Sequence, residues 1–285
     1  MNHRGELAIH EYLRKVSEGK ETMSKTTIKQ IAKDIEESLN RQFSSDKKRS
    51  FSLRMSNIGR PSCQLWFEKN YPEKALPKPN TFIMNMLIGD IVEAIFKGLL
   101  TEAKVDYKNS DTVSLDIDNT SVSGTYDLIV DGAVDDIKSA SDWSYKYKFE
   151  SFDSLAEGDS FGYIGQLTGY ALASNSKVGG WWVVNKANGN FKYVPATNIN
   201  VDKELNKIKN NIKKVDSKEL VRCFSPEPEY FRGKPTGNMV LSKNCTFCDF
   251  RQACWSTLET LPAKMSKAKE PKMVHYVNIN KEKNI

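Results

Sequence analysis

The chain has 285 residues, enough for one large domain or two smaller ones. Lys and Arg total 42 against 36 Asp and Glu, and a net charge of +6 permits a nucleic-acid partner without requiring one. No apolar run reaches the length of a membrane span, and the first residues lack the apolar core of a signal peptide, so a membrane partner is excluded and an intracellular, cytoplasmic chain is expected. The five cysteines are an odd number, and without an export signal they favour metal or redox chemistry over disulfides.

Residues 1–25 are polar and are expected to be loosely attached. Over 26–43, Ile28, Ile31, Ile35 and Leu39 recur at helical spacing behind a capping Thr26 or Thr27. The run Ser44–Ser50 reads as a linker or exposed loop, which closes an N-terminal segment 1–50. Pro61 then breaks the chain before a short helix with Cys63 in its first turn, where an isolated cysteine is more often a small buried hydrophobe than a ligand. A long helix is predicted over 80–104, capped by Asn80 or Thr81, with Phe82, Met86, Ile88, Ile91, Val92, Ile95, Phe96 and Leu99 on its apolar stripe. Glu93 sits among these residues, either at the solvent edge or held toward a cation. Strands follow over 111–117, 120–130 and 133–138.

In Trp143-Ser-Tyr145-Lys146-Tyr147-Lys148-Phe149 aromatic and basic residues alternate, a pattern that suits single-stranded nucleic acid and equally a half-buried strand or the core face of a helix. After a polar loop over 151–160, a helix over 161–174 carries Gln166 and Tyr170 on one face. Strands over 178–186 and 190–196 pair across Asn188-Gly189. A Lys-rich helix covers 200–217, its charge read as a solvated face. Residues 263–285 form a polar, Lys-rich tail without periodicity, an arm or a disordered end.

The chemistry centres on Gly124–Lys138. Asp131-Gly132 is a type I′ turn signal between two strands, because both central positions need φ > 0. Asp136 and Lys138, two apart on a strand, share a face, and the hairpin brings Asp127 beside them. Two carboxylates and an ammonium on one sheet face fit a divalent-metal site with a lysine at its edge; they also fit a solvated salt bridge. The second signal is Cys245-x2-Cys248-x5-Cys254. Four thiolates make the usual set for an iron–sulfur cluster or a structural zinc, and the fourth is Cys63 or Cys223.

Together these pieces resemble the PD-(D/E)XK nuclease superfamily, in its RecB-type, CRISPR-associated-exonuclease-like branch. The branch's motifs match Gly89…Glu93, Gly124…Asp127, Asp136-Ile137-Lys138 and Gln166…Tyr170, in order across about residues 52–255. The resemblance implies an α/β, restriction-endonuclease-like core: a helix, a three-stranded antiparallel hairpin sheet, a helix and a strand. A nuclease domain over 51–262 would follow the helical N-terminal part and be closed by the C-terminal cysteine segment. It implies a DNA exonuclease acting from single-stranded ends in repair, recombination or phage DNA processing, alone or beside a helicase or recombination partner. Glu93, Asp127, Asp136 and the carbonyl of Ile137 would bind Mg²⁺ or Mn²⁺; Lys138 would position or activate water; Gln166 and Tyr170 would orient Lys138 or DNA. Arg54, Arg60, Trp143, Tyr145, Lys146 and Lys148 would be strand contacts. Cys63, Cys245, Cys248 and Cys254 would ligate a structural 4Fe–4S cluster, with zinc as the alternative and Cys223 an ordinary thiol. One departure stands out: many members carry histidine where this chain has Glu93. The competing class is a DNA-binding protein with a structural cluster that is catalytically silent or awaits a partner.

Overall fold

The computed structural model describes residues 3–44, 51–263 and 266–280. In chain order the helices among them are α1 (Arg4–Ser17), α2 (Lys25–Phe43), α3 (Ser62–Asn70), α4 (Thr81–Glu102), α5 (Phe152–Glu157), α6 (Tyr163–Ala173), α7 (Val201–Val215) and α8 (Arg251–Cys254). The strands are β1 (Tyr107–Ile117), β2 (Thr120–Val130), β3 (Ala133–Ala140), β4 (Lys177–Asn185), β5 (Phe191–Pro195), β6 (Glu227–Phe231), β7 (Lys234–Val240), β8 (Glu259–Pro262) and β9 (Met273–Asn278). The protein is a mixed α/β chain of two units: Met1–Gly59 with Pro79–Lys209, and Arg60–Lys78 with Asn210–Ile285. These boundaries differ from those read from the sequence at 50 and 262. Apart from Ser44, the linker expected over 44–50 lies outside the described residues.

The first unit is built on a five-stranded sheet in the order β1-β2-β3-β4-β5. Asp131 and Gly132 both have positive φ, 49° and 76°, so the β2–β3 hairpin closes as its turn residues dictate, with Val130 opposite Ala133. Connecting β3 to β4 through α5 and α6 makes that pair parallel, whereas the other neighbouring pairs are antiparallel. The register of β3 against β4 shifts between Val134 and Asp136. There Gly179 has no room for a side chain: a Cβ would stand 2.0 Å from Asp135 Oδ1. The core of this unit gathers Ile9, Phe96, Leu100, Leu128, Val130, Ile137 and Trp182. The expectation of a loose N-terminus is therefore wrong for α1. Ile9 is fully buried in that core, and His3 caps the helix by accepting from Gly5 N–H at 3.1 Å. The cap of α2 is Ser24 rather than Thr26 or Thr27, its side chain accepting from Thr27 N–H at 3.1 Å.

The second unit carries a four-stranded antiparallel sheet, β6-β7-β9-β8. Its small apolar cluster is Trp66 and Phe67 from α3 with Phe250. The reading of 263–285 as a structureless tail is corrected by β9, where Tyr276 is fully buried and donates its hydroxyl to Glu229 at 2.9 Å. Residues 281–285 of that expected tail lie outside the described residues. No described helix is long and apolar enough to cross a membrane.

Candidate active site

Strand alternation sorts the acidic residues of β3. Asp135 faces the core side, where it accepts from Gly180 N–H at 2.8 Å, Trp182 Nε1 at 3.0 Å and the Tyr193 hydroxyl at 2.8 Å. Burial pushes its carboxyl up to about 7, against the pull of these donors. Asp136 and Lys138 project to the other face and pair, Lys138 Nζ standing 2.6 Å from Asp136 Oδ2. Asp127 reaches the same place from β2, and its Oδ2 accepts the Ile137 N–H at 2.7 Å. Its place depends on Gly124: a Cβ there would stand 2.7 Å from Met55 Cβ and 3.0 Å from Tyr170. The sheet thus brings Asp127, Asp136 and Lys138 together as their spacing predicts.

Helices supply the surroundings. Gln166 on α6 places Oε1 3.5 Å from Lys138 Nζ, and Tyr163 lies under that ammonium at 5.0 Å from its ring centre. Buried Tyr170 is held by Gln166, and burial outweighs that bond, raising the phenol to about 12. Glu93 on α4 is near enough to raise Asp127 by its charge, yet its own Oε1 is taken by Lys97 at 2.7 Å. Lys97, one helical turn on, is a buried cation that the sequence reading passed over; its signal was the i,i+4 spacing from Glu93 on an apolar face. A recess of about 310 Å³ opens here, lined by Asp34, Arg41, Asp90, Glu93, Lys97 and Asp127 among others.

Burial raises Asp127 well above the usual carboxylate range, and the charges of Asp136 and Glu93 raise it further. Asp136 is also raised by burial, against the attraction of Lys138. Burial alone would lower the Lys138 ammonium, but Asp136 and Asp127 reverse this and raise it. Crowded carboxylates that resist ionisation are a donor set for a hard cation. As they stand, Glu93, Asp127 and Asp136 each have a separate partner. No three His, Cys, Asp or Glu side chains among the described residues are gathered around a single ion position.

The expected strand contacts divide. Trp143 and Tyr147 are exposed, their rings tilted against each other at 5.7 Å, at the start and within a single π-helical turn (Ser144–Lys148) rather than on a strand. Lys148 lies 4.6 Å from the ring centres of both Phe161 and Tyr163, and Lys146 is paired with Asp142 at 2.8 Å. Tyr145 packs under Lys192 at 4.5 Å. Arg54 is exposed, beside the backbone bridge to Ser123. Arg60 belongs to the second unit, half-buried and 3.7 Å from Glu68, so it is not placed with the others.

All five cysteines are free thiols in the second unit. Cys63 is the second residue of α3, Cys245 ends a 3₁₀ turn, Cys248 follows it, and Cys254 ends α8. Burial raises Cys245 to about 12 and Cys248 to about 11, with neighbouring thiols adding to the shift of Cys245. Cys223, read from the resemblance as an ordinary thiol, lies against the start of α3. Its sulfur accepts from Cys63 N–H at 3.2 Å and lies 3.4 Å from Ser62 Oγ. Bonding to Cys63 lowers it to about 6 and raises Cys63 correspondingly.

No family model and no curated protein matches the chain. Among solved structures it is similar to the crystal structure of SSO0001, at 14% identity over 80% of this chain and 96% of that chain, with a TM-score of 0.42.

Proposed function

We propose that the chain is a metal-dependent deoxyribonuclease with a restriction-endonuclease-like core, α4, β1–β3, α6 and β4 in that order, of the PD-(D/E)XK type. The observation that carries this reading is the meeting of Asp127, Asp136, Lys138 and Gln166 on one sheet face, with Glu93 on the neighbouring helix. Glu93, Asp127, Asp136 and the carbonyl of Ile137 are the groups that would hold Mg²⁺ or Mn²⁺, which when bound supplies positive charge to a phosphodiester and acidifies water. Lys138 is an ammonium among carboxylates, which suits it to orient water and offset phosphate charge. Gln166 fixes that ammonium, and buried Tyr170 fixes Gln166. The exposed Trp143–Tyr147 pair, with Lys148 nearby in sequence, suits the bases and phosphates of a single strand.

In the second unit, Cys245, Cys248, Cys254 and a fourth thiolate would hold a structural 4Fe–4S cluster. Zinc is the alternative occupant of these thiolates. The pairing of Glu93 with Lys97 favours a second reading, a DNA-binding protein that is silent until a partner frees the glutamate.

The test is cleavage of end-labelled single- and double-stranded DNA with Mg²⁺ or Mn²⁺, beside Lys138→Ala. Cleavage by the wild-type protein, reduced about 10²-fold or more in the variant, is the expected result. DNA binding without cleavage by either protein would establish the second reading.

A further inference from the structure

Beside Lys138, three rings lead from the core to the surface. Phe149 is buried, Tyr163 lies against it at 5.7 Å and 27°, and Phe161 lies against Tyr163 at 5.7 Å and 13°. The last ring is 44% exposed, so the row ends in solvent. The turn into α6 sets its place: Gly162 takes φ 76°, and Asp159 accepts the Tyr163 and Ile164 N–H groups, each at 2.9 Å. Two ammonium groups share the row. Lys138 stands 5.0 Å from the Tyr163 ring centre, and Lys148 stands 4.6 Å from the centres of both Tyr163 and Phe161. Lys138 has Asp136 as its counter-ion, whereas half-buried Lys148 makes no ion pair among the described residues. Burial lowers the Lys148 ammonium; Asp159 opposes this, and the charge of Lys138 adds to it. A cation so placed is met best by an anion from outside the chain, and the exposed ring beside it by a flat apolar partner. A nucleotide supplies both, through its phosphate and its base.

We propose that Lys148 and Phe161 form the subsite for the nucleotide next to the scissile phosphate. Lys148 takes the neighbouring phosphate, Phe161 stacks the base, and Tyr163 is the positioning residue that spaces both from Lys138. The inference rests on the nuclease reading and deepens it. A base must be out of its pair to lie on Phe161, so the subsite selects single strands and frayed ends over closed duplex.

The experiment measures binding of the full chain, in metal-free buffer, to a labelled oligothymidylate and to an abasic strand of equal length. Phe161→Leu should weaken oligothymidylate binding about five- to hundredfold and leave the abasic strand unchanged, because only a base can stack. Phe161→Trp should bind oligothymidylate at least as well as the wild-type chain. Lys148→Met should weaken both strands and reduce the salt slope of binding by about 0.7, the loss of one phosphate contact. A readout free of variants comes from the wild-type chain irradiated with an iodouracil-substituted strand, where mass spectrometry should locate a crosslink on Phe161. Phe161→Leu that binds oligothymidylate like wild type, or weakens both strands equally, overturns the subsite, as does a crosslinked product that lacks Phe161. With cleavage intact, any of these leaves the nuclease reading standing. A wild-type chain that binds neither strand overturns the subsite, and one that also fails to cleave DNA overturns the nuclease reading with it.

Discussion

Glu93 is the one candidate metal ligand whose partner is a lysine of its own helix. Lys97 holds it at 2.7 Å, and the Lys97 side chain is nearly buried while that of Glu93 is one-third exposed. A cation entering beside Asp127 would take the glutamate from this ammonium. Lys97→Met keeps the buried stem and removes the charge, so the metal-free variant should lose about 1–2 kcal/mol of stability, a value discounted for the exposure of Glu93. The same substitution should tighten Mg²⁺ or Mn²⁺ binding, read as thermal stabilisation against metal concentration, by about five- to thirtyfold, the equivalent of that energy. If both proteins respond alike to metal, Lys97 does not compete for Glu93. The sequence made Glu93 visible as an acid on an apolar stripe, and the i,i+4 spacing offered Lys97 as its partner, but the burial of that lysine is a property of the packed helix. Asp135 was hidden for a related reason: in an Asp-Asp pair only the fold tells which carboxylate meets Trp182 and Tyr193 and which meets Lys138.

At the scale of elements, α1 shows how a polar-looking segment docks. Its apolar residues are few, but Ile9 is fully buried, and the cap residue His3 packs on Trp182 at 4.8 Å and Tyr193 at 4.2 Å. Burial lowers the His3 imidazole below its usual value, although Asp131 and Glu6 pull the other way. The sign follows directly. The undocked chain binds a proton more readily than the docked one, so stability is present above about pH 6.5 and is lost as pH falls through it. Protonation also converts the Nδ1 acceptor of the cap into a donor and sets a cation at a helix N-terminus. His3→Asn supplies an acceptor that does not titrate. Thermal melts from pH 7.5 to 5.5 should fall more steeply for the wild-type chain, the gap reaching the worth of a cap, about 0.5–2 kcal/mol. Parallel profiles would show that His3 does not govern docking. Most other elements of the first unit were legible, because long apolar periodicities and the Asp131-Gly132 signal are local; α5 was not, since the stretch read as a polar loop over 151–160 has a single fully buried residue, Leu155, to mark its short helix. The strands of the second unit were not: β6 and β7 are short and interrupted by Pro228, Pro235 and Gly237, and their turn uses Arg232 at φ 51°, a residue that carries no turn signal.

At the scale of the whole molecule, the proposed centre would belong to one of the two units. The first has a five-stranded sheet and a core around Trp182, enough apolar burial to stand without a metal. The second joins the distant segments 60–78 and 210–285, and its described apolar cluster buries Trp66, Phe67 and Phe250. Small cores of this kind are commonly completed by a metal, whose binding energy is then folding energy. All five thiols lie in this unit, Cys63 in the first segment and the others in the second. Removing the proposed centre should therefore act on one unit. Hydrogen exchange of the anaerobic protein, before and after iron chelation, should show protection lost over α3 and over 220–262. The strands β1–β5 should keep theirs, and the carboxylate site with them, so that Mg²⁺ still raises the melting temperature of the chelated protein. Loss spread evenly over both units would mean that the centre supports the whole chain as one cooperative body. Unchanged exchange in a chelated, iron-free protein would mean that the sheet β6-β7-β9-β8 and its aromatic cluster suffice without it.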